Sequence, residues 1–303
     1  MATDPPPAAA KWVVATTVPR DSPPAPFDVL VPPDPRTAVV AHVPHSSTVI
    51  PDAVRAEILL DDPALTRELV RLTDWHTDRL FSWLLDYGAT MFVNRLSRLV
   101  FDPERFVGDG AEPMESVGQG VVYTQTTGGD PLRVRSAEDR SRRIEALYDP
   151  YHAALTALVA EVKQEFGHCL ILDCHSFATV PLPSEADQSR PRPDICIGRD
   201  PFHTPSALGD ALQAALVAEE FDVRFDAPFS GTLVPLRFYQ RDQAVSSVML
   251  EVRRGLYCDE ATGELLPTAD EVRGRVARAV TAALDAAPHR GIRRVRRSQG
   301  GHP

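Results

Sequence analysis

The feature that most restricts this chain is a short apolar run, Cys169-Leu170-Ile171-Leu172, that breaks off into Asp173-Cys174-His175-Ser176-Phe177. Such a run reads as a strand covered on both faces, and the abrupt change to polar side chains reads as its carboxyl end. In open α/β sheets, sites gather beyond the carboxyl ends of strands. A functional centre is therefore expected just past Leu172. His175 there can offer one ring nitrogen to a metal while a carboxylate or carbonyl holds the other, and Asp173 or Ser176 can supply that hold. A lone histidine at a strand end is more often simply hydrogen-bonded, so the assignment depends on what else the chain brings to the same place.

A second run, Ala38-Val39-Val40-Ala41-His42-Val43, stops at Pro44-His45-Ser46-Ser47. If both strands are central and parallel, His45 and His175 converge. After a helix over residues 62–72, Thr73-Asp74-Trp75-His76-Thr77-Asp78-Arg79-Leu80-Phe81 leads into another. Acids here suit a helix N-terminus. The chemical alternative makes Asp74 the oxygen ligand that joins the two histidines, because a catalytic zinc commonly takes three protein ligands and keeps a position for water. His76 and Asp78 are the competing candidates. A late strand, 245–254, carries Glu251 between Leu250 and Val252. On an edge it would be merely solvated; in the interior it is costly unless paired or catalytic. Residues 90–93 form a further strand, followed by Asn94-Arg95-Leu96-Ser97-Arg98-Leu99-Val100-Phe101-Asp102-Pro103-Glu104-Arg105-Phe106. Arginine forks beside a strand end clamp a substrate carboxylate or a developing oxyanion, and Asp102 is placed to pin one of them.

Strands alternating with helices over 136–165, 205–220 and 272–287 indicate an α/β fold with a mainly parallel or mixed central sheet flanked by helices. Residues 194–198 add a short strand, and Phe229-Ser230-Gly231-Thr232-Leu233-Val234-Pro235 reads as a glycine turn into another. Loops are expected over 108–129, long enough for a flap, and over 181–193. Residues 1–36 read as a Pro-rich extended leader with at most one edge strand near Phe27–Val31, residues 37–288 as a single domain, and 289–303 as a basic flexible tail holding Arg290, Arg293, Arg294, Arg296 and Arg297. A net charge of -10 gives no basic field for nucleic acid. No apolar run approaches the ~20 residues needed to span a bilayer. The N-terminus lacks a basic start followed by an apolar stretch, so no secretory signal is expected. Four cysteines without a CxxC pair read as reduced thiols of a cytoplasmic protein. The sequence sets no oligomeric state.

Two strand-end histidines, an acid between them and a late strand-borne glutamate form the parts list of a mononuclear zinc hydrolase. Zn2+ lowers the pKa of water to about 7, and Glu251 can take the proton and pass it to the leaving nitrogen. An arginine steadies the oxyanion.

On these residues the sequence resembles the N-formylglutamate amidohydrolases. The likeness runs through Val43-Pro44-His45-Ser46-Ser47, Thr73 to Phe81, Ser97 to Phe106, Asp173-Cys174-His175-Ser176-Phe177, Pro193-Asp194-Ile195-Cys196, Pro228-Phe229-Ser230-Gly231-Thr232 and Glu251-Val252-Arg253-Arg254. It implies a fold similar to the zinc carboxypeptidases, with His45 and His175 as ligands and Glu251 as base. Those enzymes place their acidic ligand three residues after the first histidine, where this chain has Thr48; Asp74 is the expected substitute. The resemblance further implies hydrolysis of N-formyl-L-glutamate to formate and glutamate, late in histidine breakdown. Arg98, as catalytic group, with Arg95 or Arg105, would meet the glutamyl carboxylates, and Asn94, Ser230, Gly231 and Thr232 would line the substrate site. The same framework can serve another small-molecule N-acyl amino acid, a peptide-like amide, or a binding module without turnover.

Overall fold

The computed structural model describes residues 13–14, 26–33, 36–108, 112–134 and 136–286. Two runs of branched and apolar residues, Val39–Val43 and Cys169–Phe177, are buried along their whole length and lie side by side in parallel. They are the centre of a mixed eight-stranded sheet. In chain order its strands are β1 (Val13–Val14), β2 (Phe27–Val31), β3 (Val39–Val43), β4 (Thr90–Asn94), β5 (Cys169–Phe177), β6 (Ile195–Gly198), β7 (Val223–Phe225) and β8 (Val245–Arg253). Across the sheet they run β1-β2-β4-β3-β5-β8-β6-β7. The inner block β4-β3-β5-β8 is parallel, while β2 and β6 attach to it antiparallel.

Among the described residues eight α-helices connect and cover the strands: α1 (Asp52–Arg55), α2 (Asp62–Leu72), α3 (Thr77–Leu80), α4 (Trp83–Tyr87), α5 (Ala137–Arg143), α6 (Asp149–Phe166), α7 (Ser206–Ala218) and α8 (Ala269–Ala286). Successive strand residues point to opposite faces. Val39, Ala41, Leu170, Leu172, Val248 and Leu250 accordingly pack on one side with α4, α7 and α8. Val40, Ile171 and Val245 pack on the other with Tyr151, Leu155 and Val159 of α6. His42, Asp173, His175 and Glu251 continue this second face toward the strands' carboxyl ends.

Several expectations change in detail. The helix expected over 136–165 is divided: α5 and α6 are joined by a π turn at Ile144–Tyr148. Pro150 has no N–H for the carbonyl four residues earlier, and the wider turn sits where that α-type bond is missing. Residues 229–235 form no strand. Their polar groups are used elsewhere, with the Gly231 N–H donating to Arg199 O, the Leu233 N–H to Asp173 Oδ2 and the Ser247 hydroxyl to Leu233 O. The segment set apart as a leader supplies two strands instead of at most one, because β2 pairs with β4 and β1 with β2. The helix after Asp74 is two short pieces, α3 and α4. The basic tail, 289–303, lies outside the described residues. All four cysteines are buried and free. Among the described residues no helix is long and apolar enough to cross a membrane.

Candidate functional site

Parallel pairing of β3 with β5 sets His42 against Asp173, so His45, three residues on, and His175, two residues on, leave neighbouring strand ends. Their ring centroids are 5.3 Å apart. The chain after α2 is tied to the same place by the Asp74 N–H, which donates to His45 O at 3.0 Å. Asp74 Oδ2 then lies 3.1 Å from His175 Nδ1 and 3.8 Å from His45 Nδ1, and accepts the Ser176 N–H at 3.3 Å. The outer nitrogens meet other acids. His45 Nε2 bonds Asp102 Oδ1 at 2.9 Å, and His175 Nε2 is 3.1 Å from both Asp173 Oδ1 and Glu104 Oε1. His45 Nδ1 is buried and has no hydrogen-bond partner. One ligand atom each from His45, Glu104 and His175 falls within a 4.8 Å span, and with Asp74 beside both rings this is a buried His/Glu/Asp cluster that can hold a metal ion.

Glu251 stands directly across from His175 in the β5–β8 register. Because β8 lies between β5 and β6, it is an interior residue, and its Oε2 is buried without a partner. Burial pushes its carboxyl up to about 8, with His175 pulling the other way and Asp74 and Glu104 adding to the rise. Burial alone would lower His175, but Glu104, Asp173 and Asp74 hold it well above the usual imidazole range. Burial would likewise raise Asp74, and the two histidines override it and hold it low.

Asp102 gathers the next layer. It accepts from both Arg98 Nε and Nη2, at 3.2 and 2.8 Å, from the Tyr123 hydroxyl at 2.7 Å, and has Arg105 Nε at 3.6 Å. Burial favours its neutral form, yet the two guanidiniums and His45 keep it well below the carboxylate range. One carboxylate between two guanidiniums leaves one positive charge in excess, and both arginines line the cavity over the histidines. That cavity has a volume of about 610 Å³ and is also lined by Ser230, Gly231 and Thr232.

The structure does not bring every expected residue there. Asn94 is buried and donates to Pro44 O. Arg95 is drawn toward β2, its N–H on Pro26 O and its side chain on Asp28 and Asp78, away from the cavity. The ring of His76, a residue with left-handed backbone (φ 59°), bonds Gly263 O, and Asp78 bonds Arg79 N and Arg95; neither meets the two histidines. Four groups escaped the sequence reading. Glu104 was hidden among arginines, and Arg71 and Arg254 reach the cavity from α2 and from just past β8. His42 had one signal, a histidine inside an otherwise apolar strand.

Comparison with known proteins identifies the family. A family model described as N-formylglutamate amidohydrolase matches residues 37–258. N-formylglutamate deformylase of Pseudomonas aeruginosa is 30% identical over 232 residues, 74% of this chain and 84% of that protein. The deformylase of Pseudomonas putida is 26% identical over 234 residues, covering 74% and 83%. Among solved structures, an N-formylglutamate amidohydrolase from Ralstonia eutropha superposes with a TM-score of 0.74 at 25% identity, over 86% of this chain and 98% of that one. A gene product of Agrobacterium tumefaciens shares the fold, with a TM-score of 0.62 at 22% identity, over 87% and 96%. The matched span opens just before β3 and closes just after β8, so it contains His45, Asp74, Asp102, His175 and Glu251 in the order that builds the cluster; the chain belongs to the N-formylglutamate amidohydrolase family.

Proposed function

We propose that this chain is a zinc-dependent hydrolase of N-acyl amino acids and that it converts N-formyl-L-glutamate to formate and L-glutamate. The observation that carries the reading is the pair of unpartnered buried atoms that share one cavity, His45 Nδ1 and Glu251 Oε2. A buried imidazole nitrogen whose ring partner is already spent on Asp102 is what a metal ligand looks like without its ion. His45 Nδ1, Asp74 Oδ2 and His175 Nδ1 would hold zinc, three protein ligands with room for a fourth. A zinc ion there supplies Lewis acidity, polarising the amide carbonyl and bringing the pKa of water to about 7.

The chain's own residues do the rest. Glu251 Oε2 takes a proton from the attacking water and delivers it to the nitrogen as the C–N bond breaks. Arg98, whose Nε and Nη2 both donate to Asp102 Oδ2, presents the surplus positive charge toward the developing oxyanion, and Arg105 receives a substrate carboxylate. Ser230, Gly231 and Thr232 line the same cavity.

Formate release from N-formyl-L-glutamate, measured with and without a chelator, tests the reading. Turnover that disappears with chelation and returns with zinc is expected. Bound metal with no hydrolysis of formyl, acetyl or peptidyl amides would make the chain a binding module instead. Glu251→Gln should keep zinc and lose at least about a thousandfold in kcat, a general-base loss at the upper end of the usual range; unchanged turnover removes Glu251 from the chemistry.

A further inference from the structure

One buried hydrogen-bonded chain runs from the candidate metal ligands into the hydrophobic core and has no part in the chemistry above. His175 Nε2 is 3.1 Å from Asp173 Oδ1; the same oxygen is 2.8 Å from His42 Nδ1; and His42 Nε2 is 2.7 Å from the Tyr151 hydroxyl. All four residues are buried, His42 and Tyr151 completely. With His42 neutral, one proton arrangement makes all three contacts hydrogen bonds. The Tyr151 O–H donates to His42 Nε2, which fixes the His42 tautomer with its proton on Nδ1. His42 Nδ1–H and His175 Nε2–H then both donate to Asp173, whose other oxygen accepts the Leu233 N–H at 2.8 Å. When His175 is neutral, as a metal ligand must be, its Nδ1 then carries the lone pair on the side of Asp74, whose Oδ2 is 3.1 Å away.

The far end is rigid. Tyr151 meets Phe92 edge to face at 4.9 Å between ring centroids, and Phe27 and Phe101 at 5.7 and 5.8 Å. It lies in the first turn of α6, right after the π turn, and its neighbours also serve the site. The Tyr148 hydroxyl donates to Arg105 O, and His152 Nε2 bonds Pro103 O. Tyr148 at the end of the π turn and His152 in the first turn of α6 thus hold the 103–105 segment, while Tyr151 between them reaches the strand-end histidine through His42 and Asp173.

We propose that Tyr151 is a positioning residue, acting through His42 and Asp173 to fix the tautomer and ring orientation of His175 for metal binding. The inference rests on His175 being a ligand through Nδ1, as argued above. Outer partners of this kind typically govern metal affinity by 10–100-fold.

The test compares the full-length wild type with Tyr151→Phe and His42→Gln, using zinc dissociation constants from chelator competition and the visible absorption of the Co2+-loaded proteins. Tyr87→Phe is the control, since it removes a tyrosine hydroxyl bonded to Asp285 far from the site. Expected are zinc binding weaker by about 10–100-fold in Tyr151→Phe, a shifted Co2+ spectrum, and, at saturating zinc, a lowered kcat with KM unchanged. Tyr87→Phe should bind zinc as the wild type does. Wild-type affinity and spectrum in both Tyr151→Phe and His42→Gln overturn the relay while leaving the hydrolase reading intact. Two ions per wild-type chain falling to one in His42→Ala also overturn it, because His42, Glu104 and Asp173 lie close enough to hold an ion themselves. A wild type that binds no divalent ion removes the relay and the hydrolase reading together.

Discussion

Asp74 and Glu104 both reach the two imidazoles, but through different nitrogens. Asp74 Oδ2 faces Nδ1 of each ring, leaving both Nε2 atoms to Asp102 and Asp173, whereas Glu104 meets His45 at Nδ1 and His175 at Nε2. The first arrangement gives each ring its own outer carboxylate. Asp74→Asn is therefore expected to weaken zinc binding at least about a hundredfold, and Glu104→Gln by less than about tenfold, both read by chelator competition; the reverse order would make Glu104 the ligand. Asp102 offers a separate test. Its carboxyl, ordinarily near 3.8, is held well lower in the fold, so the stability it contributes is complete above about pH 4 and is lost as pH falls toward the folded-state value. Asp102→Asn leaves the half-buried Arg98 and Arg105 guanidiniums without their buried acid and should cost about 3 kcal/mol at pH 7, the low end for breaking a buried pair. In urea unfolding the gap between variant and wild type should narrow below pH 4. At this scale His45, Asp74, His175 and Glu251, which the fold brings together, stand out in the chain because each interrupts an apolar run or caps it. Glu104 and Tyr151 could not: an acid among arginines reads as a surface pair, and a tyrosine in a helical stripe reads as packing.

Glycine at the end of β6 shows how elements are matched at the cavity. Gly198 pairs with Met249 of β8, and a Cβ there would run into the Met249 side chain and the carbonyl of Gly231. That carbonyl belongs to the 228–232 segment on the cavity wall. Gly198→Ala should push the segment outward, costing about 1–3 kcal/mol of stability and, through displacement of the wall by a fraction of an ångström, about tenfold to a hundredfold in kcat/KM. Thermal unfolding together with steady-state kinetics separates the two effects; lost stability with unchanged kcat/KM would exclude the 228–232 wall from substrate binding. The same segment marks where element reading from sequence stops. Gly-Thr-Leu-Val has the composition of a strand, but its hydrogen bonds go to Asp173, Ser247 and Arg199, partners that only the assembled sheet supplies. The π turn before α6 is a similar case, since apolar periodicity runs through it unbroken and only Pro150 hints at it.

Across the whole molecule, alternating strands and helices made the α/β class and a mainly parallel sheet readable, because that alternation is carried by local pattern. Strand order was not, and the order places β8 beside β5 and so sets Glu251 across from His175. The resulting site has a charge balance with a testable consequence. Among the groups paired directly around the two candidate ligand histidines, the five carboxyls of Asp74, Asp102, Glu104, Asp173 and Glu251 meet the three guanidiniums of Arg98, Arg105 and Arg254, an excess of two negative charges. Without a cation, protons supply the balance: Glu251 is raised to about 8 and His175 is raised well above its ordinary value, so both are protonated at neutral pH. A divalent ion needs His175 neutral and favours Glu251 ionised, so its binding should release about two protons. Zinc affinity must then rise with pH, and the stability that zinc contributes, RT ln(1 + [Zn]/Kd), must rise with it. The drop in Tm on adding a chelator should accordingly be small near pH 6 and widen toward pH 8. Calorimetry in buffers of different ionisation enthalpy counts the protons directly, and zinc binding that releases none would mean that the two groups are not displaced by the metal.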